Sequence, residues 1–90
     1  MKNKSTKKGQ ALYKLAKKII PGGNSFFSKR PEIFLPNGWP PYFKKTKGCY
    51  VWDIDNNKYI DMALMGVGTN ILGYNNRAVD NAVKKVIKSG

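Results

Sequence analysis

Residues 47–61 read KGCYVWDIDNNKYID, and the fold is decided by how this stretch is read. Cys49-Tyr50-Val51-Trp52 is β-branched and aromatic, and Lys58-Tyr59-Ile60-Asp61-Met62 has the same character. Between them lies Asp53-Ile54-Asp55-Asn56-Asn57. Asn and Asp tolerate left-handed backbone angles and bond their own main chain, so this is a turn. The spacing predicts a β-hairpin over 44–62, opened by Gly48. The acids Asp53, Asp55 and Asp61 raise the question of a metal. A calcium-binding loop needs Gly at its sixth position and Glu at its twelfth. Counted from Asp53, those positions hold Lys58 and Leu64. The three acids therefore read as turn and strand-end residues, and no metal site is assigned.

Upstream, residues 24–43 have no helical or strand period. Pro31, Pro36, Pro40 and Pro41 exclude a helix interior and a central strand. Phe26, Phe27, Phe34, Trp39, Tyr42 and Phe43 crowd the same stretch. A long aromatic loop of this kind is expected to cover another protein surface. Before it, Leu12, Leu15, Ala16, Ile19 and Ile20 recur at helical spacing, predicting an amphipathic helix over 10–20. Pro21-Gly22-Gly23 ends it. Residues 1–9, MKNKSTKKG, read as a disordered basic arm.

Downstream, residues 63–74 mix small and apolar side chains with Gly66, Gly68 and Gly73, a pattern that suits close backbone approach. Gly66-Val67-Gly68 lacks the third glycine of a dinucleotide fingerprint. Val79, Ala82, Val83, Val86 and Ile87 predict a second helix over 76–88, capped by Asn75 or Asn76 and carrying an Asp80–Lys84 pair.

Composition narrows the chemistry. The chain has 90 residues, no His and one Cys. Without His there is no Ser-His-Asp or Cys-His triad and no His-bearing zinc site. Cys49 alone makes no internal disulfide and no Cys-x-x-Cys pair. One Cys and no signal-like apolar segment suit a reducing, cytoplasmic setting. No apolar run approaches the ~20 residues that span a bilayer, so no membrane partner is expected. The formal charge is +12. Residues 1–47 hold twelve basic residues against the single acid Glu32, while residues 48–90 hold five against four. A small basic module binding nucleic acid or an acidic surface is the alternative this suggests. Only Arg30 and Arg77 are Arg, however, and bidentate phosphate readout prefers Arg. Nucleic acid is not the expected partner.

The order of these pieces resembles the N-terminal segment of the class III pyridoxal-phosphate aminotransferases, in their glutamate-1-semialdehyde aminomutase-like branch. The matching stretches run from Leu12-Tyr13 through Ile20-Pro21-Gly22-Gly23-Asn24-Ser25, then 47–55, Lys58-Tyr59-Ile60-Asp61, Ile71-Leu72-Gly73, and Ala78-Val79 through Ala82-Val83. The resemblance implies an α+β piece of a fold type I transferase: helix, long loop, β-hairpin, helix. Residues 10–90 would form the N-terminal subdomain, with the large cofactor-binding domain absent. Pyridoxal phosphate would serve the complete enzyme as electron sink. Its lysine would lie far downstream, so the chain alone should be inactive, with no catalytic or cofactor-binding residue of its own. Expected partners are the remainder of the enzyme, a second subunit in a homodimer, and a small-molecule amino donor and acceptor. The resemblance places Ser25, Ser28 and Met65 on the wall of the substrate pocket.

The sequence also departs from that branch. The aminomutase has an Arg where this chain has Ser28, with Lys29 and Arg30 just beyond. Its Gly-His-x-His-Pro corresponds to Gly73-Tyr74-Asn75-Asn76-Arg77. The run Ser28-Lys29-Arg30-Pro31-Glu32 resembles homologues of surface-polysaccharide and amino-sugar pathways. The expectation is an aminotransferase of that kind.

Overall fold

The structure is a computed structural model that describes residues 4–63 and 65–90. Its elements in chain order are a helix α1 (Lys7–Ala16), strands β1 (Phe43–Lys47), β2 (Tyr50–Asp53) and β3 (Lys58–Ile60), and a helix α2 (Arg77–Ile87). Short 3₁₀ turns at Pro21–Gly23, Phe27–Lys29 and Pro31–Ile33 break up the long loop. The class is α+β, as expected from the sequence.

The hairpin is present, with β2 and β3 antiparallel and Val51 opposite Tyr59. Its turn is held by the buried Asp53 carboxylate, which accepts from the Asn57 backbone N–H at 2.8 Å, the Asn57 side-chain amide at 2.8 Å and the Tyr59 hydroxyl at 3.1 Å. The sheet also has a strand the hairpin reading did not separate. β1 pairs antiparallel with β2, giving the order β1-β2-β3, and a bulge between Phe43 and Lys45 shifts the register so that Phe43 pairs with Asp53. Gly48 and Tyr74 exchange two backbone hydrogen bonds of 2.9 Å, and the Tyr74 hydroxyl donates to Asp61 at 2.6 Å. These bonds return the glycine-rich segment to the sheet.

The first helix begins and ends earlier than its apolar period predicts. Thr6 provides no side-chain cap. The Asp55 carboxylate does so from the hairpin turn, accepting from the N–H groups of Lys8 at 2.9 Å and Gly9 at 2.8 Å. Four orphan N–H groups at a helix start need such acceptors. Residues 7–9 of the expected disordered arm are therefore helical. Lys4 and Ser5 are tied to Lys58 and Asn57 through Lys4 Nζ to the Lys58 carbonyl and Asn57 Nδ2 to the Ser5 carbonyl. The arm's first three residues lie outside the described ones.

The core is small. Among the described residues, Tyr13 (4% exposed), Ala16, Pro31 and Val51 (2% exposed) are its buried apolar side chains. The buried face of α1 is thus Gly9, Tyr13 and Ala16, whereas Leu12, Leu15 and Ile19 of the predicted stripe stay exposed. All but Asp80 along α2 is exposed, including Val79, Val83, Val86 and Ile87. Its N-cap is Asn76, whose side-chain oxygen accepts from the Val79 N–H at 3.2 Å. Asp80 lies in its first turn, where the helix dipole favours an acid, but makes no ion pair with Lys84. Among the described residues, no helix is long and apolar enough to cross a membrane.

Candidate functional site

The Pro-Gly-Gly turn is the most constrained part of the loop region. Ile20 is extended, as the residue before proline prefers. Gly22 and Gly23 follow at φ +71° and +75°, in the left-handed region. A Cβ on Gly22 would strike the Arg30 guanidinium, and one on Gly23 would strike the Tyr13 ring. Both positions thus need glycine for backbone angle, and Gly23 needs it for space as well, since the guanidinium beside Gly22 is the movable end of a long side chain.

Tyr13 and Tyr42 clamp this turn. The Tyr13 hydroxyl lies 2.8 and 3.0 Å from the two Glu32 carboxylate oxygens and 3.2 Å from the Gly22 carbonyl. A phenol has one proton to donate, and the carboxylate is the nearer and stronger acceptor. Tyr42 donates to the Gly23 carbonyl. Lys17 completes the cluster, its ammonium 3.4 Å from Glu32 and 4.6 Å from the centre of the Tyr13 ring. Burial, reinforced by the Glu32 carboxylate, pushes the Tyr13 hydroxyl up to about 12. Glu32's own backbone N–H, then the Tyr13 hydroxyl, hold its carboxyl below the usual range. Burial also raises Tyr42.

Beyond the turn, Asn24 organises the loop that carries the predicted serines. Its side-chain oxygen accepts from the Phe26 N–H at 3.1 Å, and its amide donates to the Lys29 carbonyl at 3.0 Å. This staple places Ser25 and Ser28 on one exposed loop, Ser28 inside the Phe27–Lys29 turn. Arg30 closes the loop, with its guanidinium 4.7 Å from the Phe27 ring centre and its buried Nε without a partner. The sequence drew attention to Arg30, Tyr13 and Glu32 for charge and likeness, but gave them no role in the site. The adjacent glycines were the available signal, and their reading as a helix stop passed over the side chains they make room for.

Met65 belongs to a different loop, in the glycine-rich segment. It is half-buried and opens a left-handed run of Met65, Gly66, Val67 and Gly68, with φ of +43°, +72°, +62° and +76°. The Asn70 amide donates to the Met65 carbonyl at 2.8 Å, and the Thr69 hydroxyl to the Gly66 carbonyl at 2.7 Å. Among the described residues, no hydrogen bond joins this loop to Ser25 or Ser28. The serine loop can offer two hydroxyls and a guanidinium to an anionic or hydroxylated group. Neither loop presents a paired acid and base.

No family model matches the chain. Curated relatives do, along nearly all of it. It is 40% identical over 90 residues to the glutamate-1-semialdehyde 2,1-aminomutase of Wigglesworthia glossinidia brevipalpis, covering 100% of this chain and 19% of that protein. It is 38% identical over 82 residues to the 3-aminobutyryl-CoA aminotransferase of Cloacimonas acidaminovorans, covering 91% and 19%. Among solved structures, the PLP internal aldimine form of the FumI protein of Sphingopyxis sp. MTA144 superposes with a TM-score of 0.75 at 28% identity. That match covers 93% of this chain and 20% of the FumI chain. The chain spans about a fifth of the length of the relatives it matches. In sequence and fold the chain is similar to a segment of these pyridoxal-phosphate enzymes. Its likeness to the glutamate-1-semialdehyde aminomutases recurs across several of the curated relatives.

Proposed function

We propose that the chain forms the N-terminal subdomain of a pyridoxal-phosphate-dependent aminotransferase. Such an enzyme moves an amino group between a small-molecule donor and a carbonyl acceptor. The subdomain contributes a wall of the substrate pocket through Ser25, Ser28 and Met65, and contacts to a second subunit of a homodimer. The observation that carries this reading is the match of 93% of the chain to one fifth of a PLP enzyme. The apolar surface left open on both helices and on the aromatic loop supports it, because a remainder of the enzyme and a partner would cover that surface. A cytoplasmic setting fits the exposed thiol of Cys49.

The described residues do not themselves fit a cofactor site. Every described lysine is exposed. An amine becomes a nucleophile when it is desolvated or set beside another cation in a pocket. Lys14 and Lys17 line an open groove beside Glu32, but both remain exposed there, and no catalytic step is assigned to any of these lysines. The work of this segment is binding: serine hydroxyls donate to the substrate from a loop fixed by Asn24, and Met65 gives an apolar contact.

The substrate is a carbonyl compound other than glutamate semialdehyde, of the amino-sugar kind. This rests on Ser28 standing where the aminomutase has Arg, which removes a bidentate grip on a carboxylate. The test uses the enzyme that contains this segment. Ser25→Ala and Ser28→Ala should each raise the acceptor KM about tenfold and change kcat little, as loss of one hydrogen bond to substrate does. Efficient isomerisation of glutamate semialdehyde, or an unchanged KM in both variants, would sink the proposal.

A further inference from the structure

Alternation along β2 sends Val51 and Asp53 to the buried side of the sheet and Tyr50 and Trp52 to the other side. Strand register sets Lys45 and Lys58 on either side of Trp52, and Lys47 and Ile60 on either side of Tyr50. The outer face is therefore two rows, Lys45-Trp52-Lys58 and Lys47-Tyr50-Ile60. Lys58 Nζ lies 3.7 Å from the Tyr50 ring centre and 5.4 Å from that of Trp52, and Lys45 Nζ lies 4.8 Å from Trp52. All three lysines, Tyr50 and Ile60 are exposed.

No carboxylate answers these charges. Glu32 is held by Tyr13 and Lys17, Asp53 faces the core, Asp55 caps α1, Asp61 takes the Tyr74 hydroxyl, and Asp80 lies on α2. We infer that this face docks an extended acidic segment of another polypeptide. Successive same-side residues of a strand repeat at ~6.7 Å, so Asp or Glu at alternate positions of the segment matches Lys45 and Lys47 in step. The tyrosine and tryptophan rings supply contact area of the kind enriched at interfaces. A second copy of this chain is disfavoured as occupant by its own charge of +12. Single-stranded nucleic acid fits less well, since the rings already carry ammonium groups and the face has no Arg.

The test titrates the isotope-labelled full chain with a peptide alternating Glu and Thr, followed by amide chemical shifts. An all-Thr peptide and an oligothymidylate of equal charge serve as comparisons. The inference predicts shifts confined to residues 43–47, 50–52 and 58–60, binding that weakens with salt, and a Kd about tenfold higher in the Lys45→Gln/Lys47→Gln/Lys58→Gln variant. Lys47→Gln alone, which removes an ammonium that covers no ring, should give a smaller loss in the same direction and keeps the test open should the triple variant unfold. Shifts that follow the lysines of α1 instead, equal affinity in the variants, or tighter binding of oligothymidylate at the same residues would overturn it.

Discussion

Gly23 and Gly48 are both left-handed, at φ +75° and +58°, but their surroundings differ. A Cβ on Gly23 meets the Tyr13 ring, whereas one on Gly48 meets nothing within 4 Å. Gly48→Ala should therefore cost only the left-handed penalty, about 1 kcal/mol, and Gly23→Ala at least about 2 kcal/mol. Urea unfolding of the two variants measures the difference, and equal losses would show that the Tyr13 packing is not what fixes Gly23. Titration separates two further groups of residues. Burial, then the Asp53 and Asp61 carboxylates, push Tyr59 and Tyr74 up to about 12, as burial and Glu32 do for Tyr13. A raised folded pKa stabilises fully below the ordinary value of 10.0 and is lost as pH climbs towards 12. Asp55 has the opposite sign. Burial raises its carboxyl, but the Gly9 and Lys8 N–H groups outweigh that and hold it below 3.8. Its contribution is present above that value and disappears as pH falls through the lowered one. Asp55→Asn should flatten the acid limb of a stability–pH profile and weaken the alkaline limb only slightly, since Asp55 is the smallest of the causes that raise Tyr59.

Elements that announce themselves locally were legible, and those completed from a distance were not. The hairpin could be read because Asp53, Asn57 and Tyr59 form its turn within seven residues of sequence. The second helix could be read because Asn76 caps it three residues from Val79. The start of α1 could not, since its cap is Asp55, 46 and 47 residues away from the amides it serves. The buried side of α1 was also misjudged. Apolar period marks every side that will be covered, and here Leu12, Leu15 and Ile19 belong to a surface this chain leaves open. The serine loop was legible in its residues but not in its staple, because Asn24 closes it through backbone partners. Two outcomes follow for the helices. Asp55→Ala should speed amide exchange at Lys8 and Gly9 and shorten α1 from its start. Asn76→Ala should lower the stability of α2 by about 1 kcal/mol, read as faster exchange at Val79 while β2 amides keep their protection.

At the scale of the whole molecule, the small core and the large open apolar area point the same way. Met62 and Ile71 are 90% and 91% exposed, and the aromatic loop leaves Phe26 and Phe27 uncovered. Exposed apolar surface on this scale marks a contact made elsewhere. The alternative of a self-sufficient basic module accounts for the charge but leaves these faces unexplained. Pyridoxal phosphate added to the chain and then removed by gel filtration should leave no bound cofactor, because every described lysine is solvated. The central claim, that this chain is the pocket-wall segment of an aminotransferase, is met most directly by a chimera. The matching segment of the Acetivibrio thermocellus aminomutase, 39% identical to this chain over 83 residues, is replaced by it. The Wigglesworthia segment placed at the same junctions serves as control. The account predicts a dimer that retains pyridoxal phosphate and transfers an amino group, with glutamate-semialdehyde isomerisation reduced relative to the control. A control that binds cofactor beside a chimera that neither dimerises nor retains it would contradict the account.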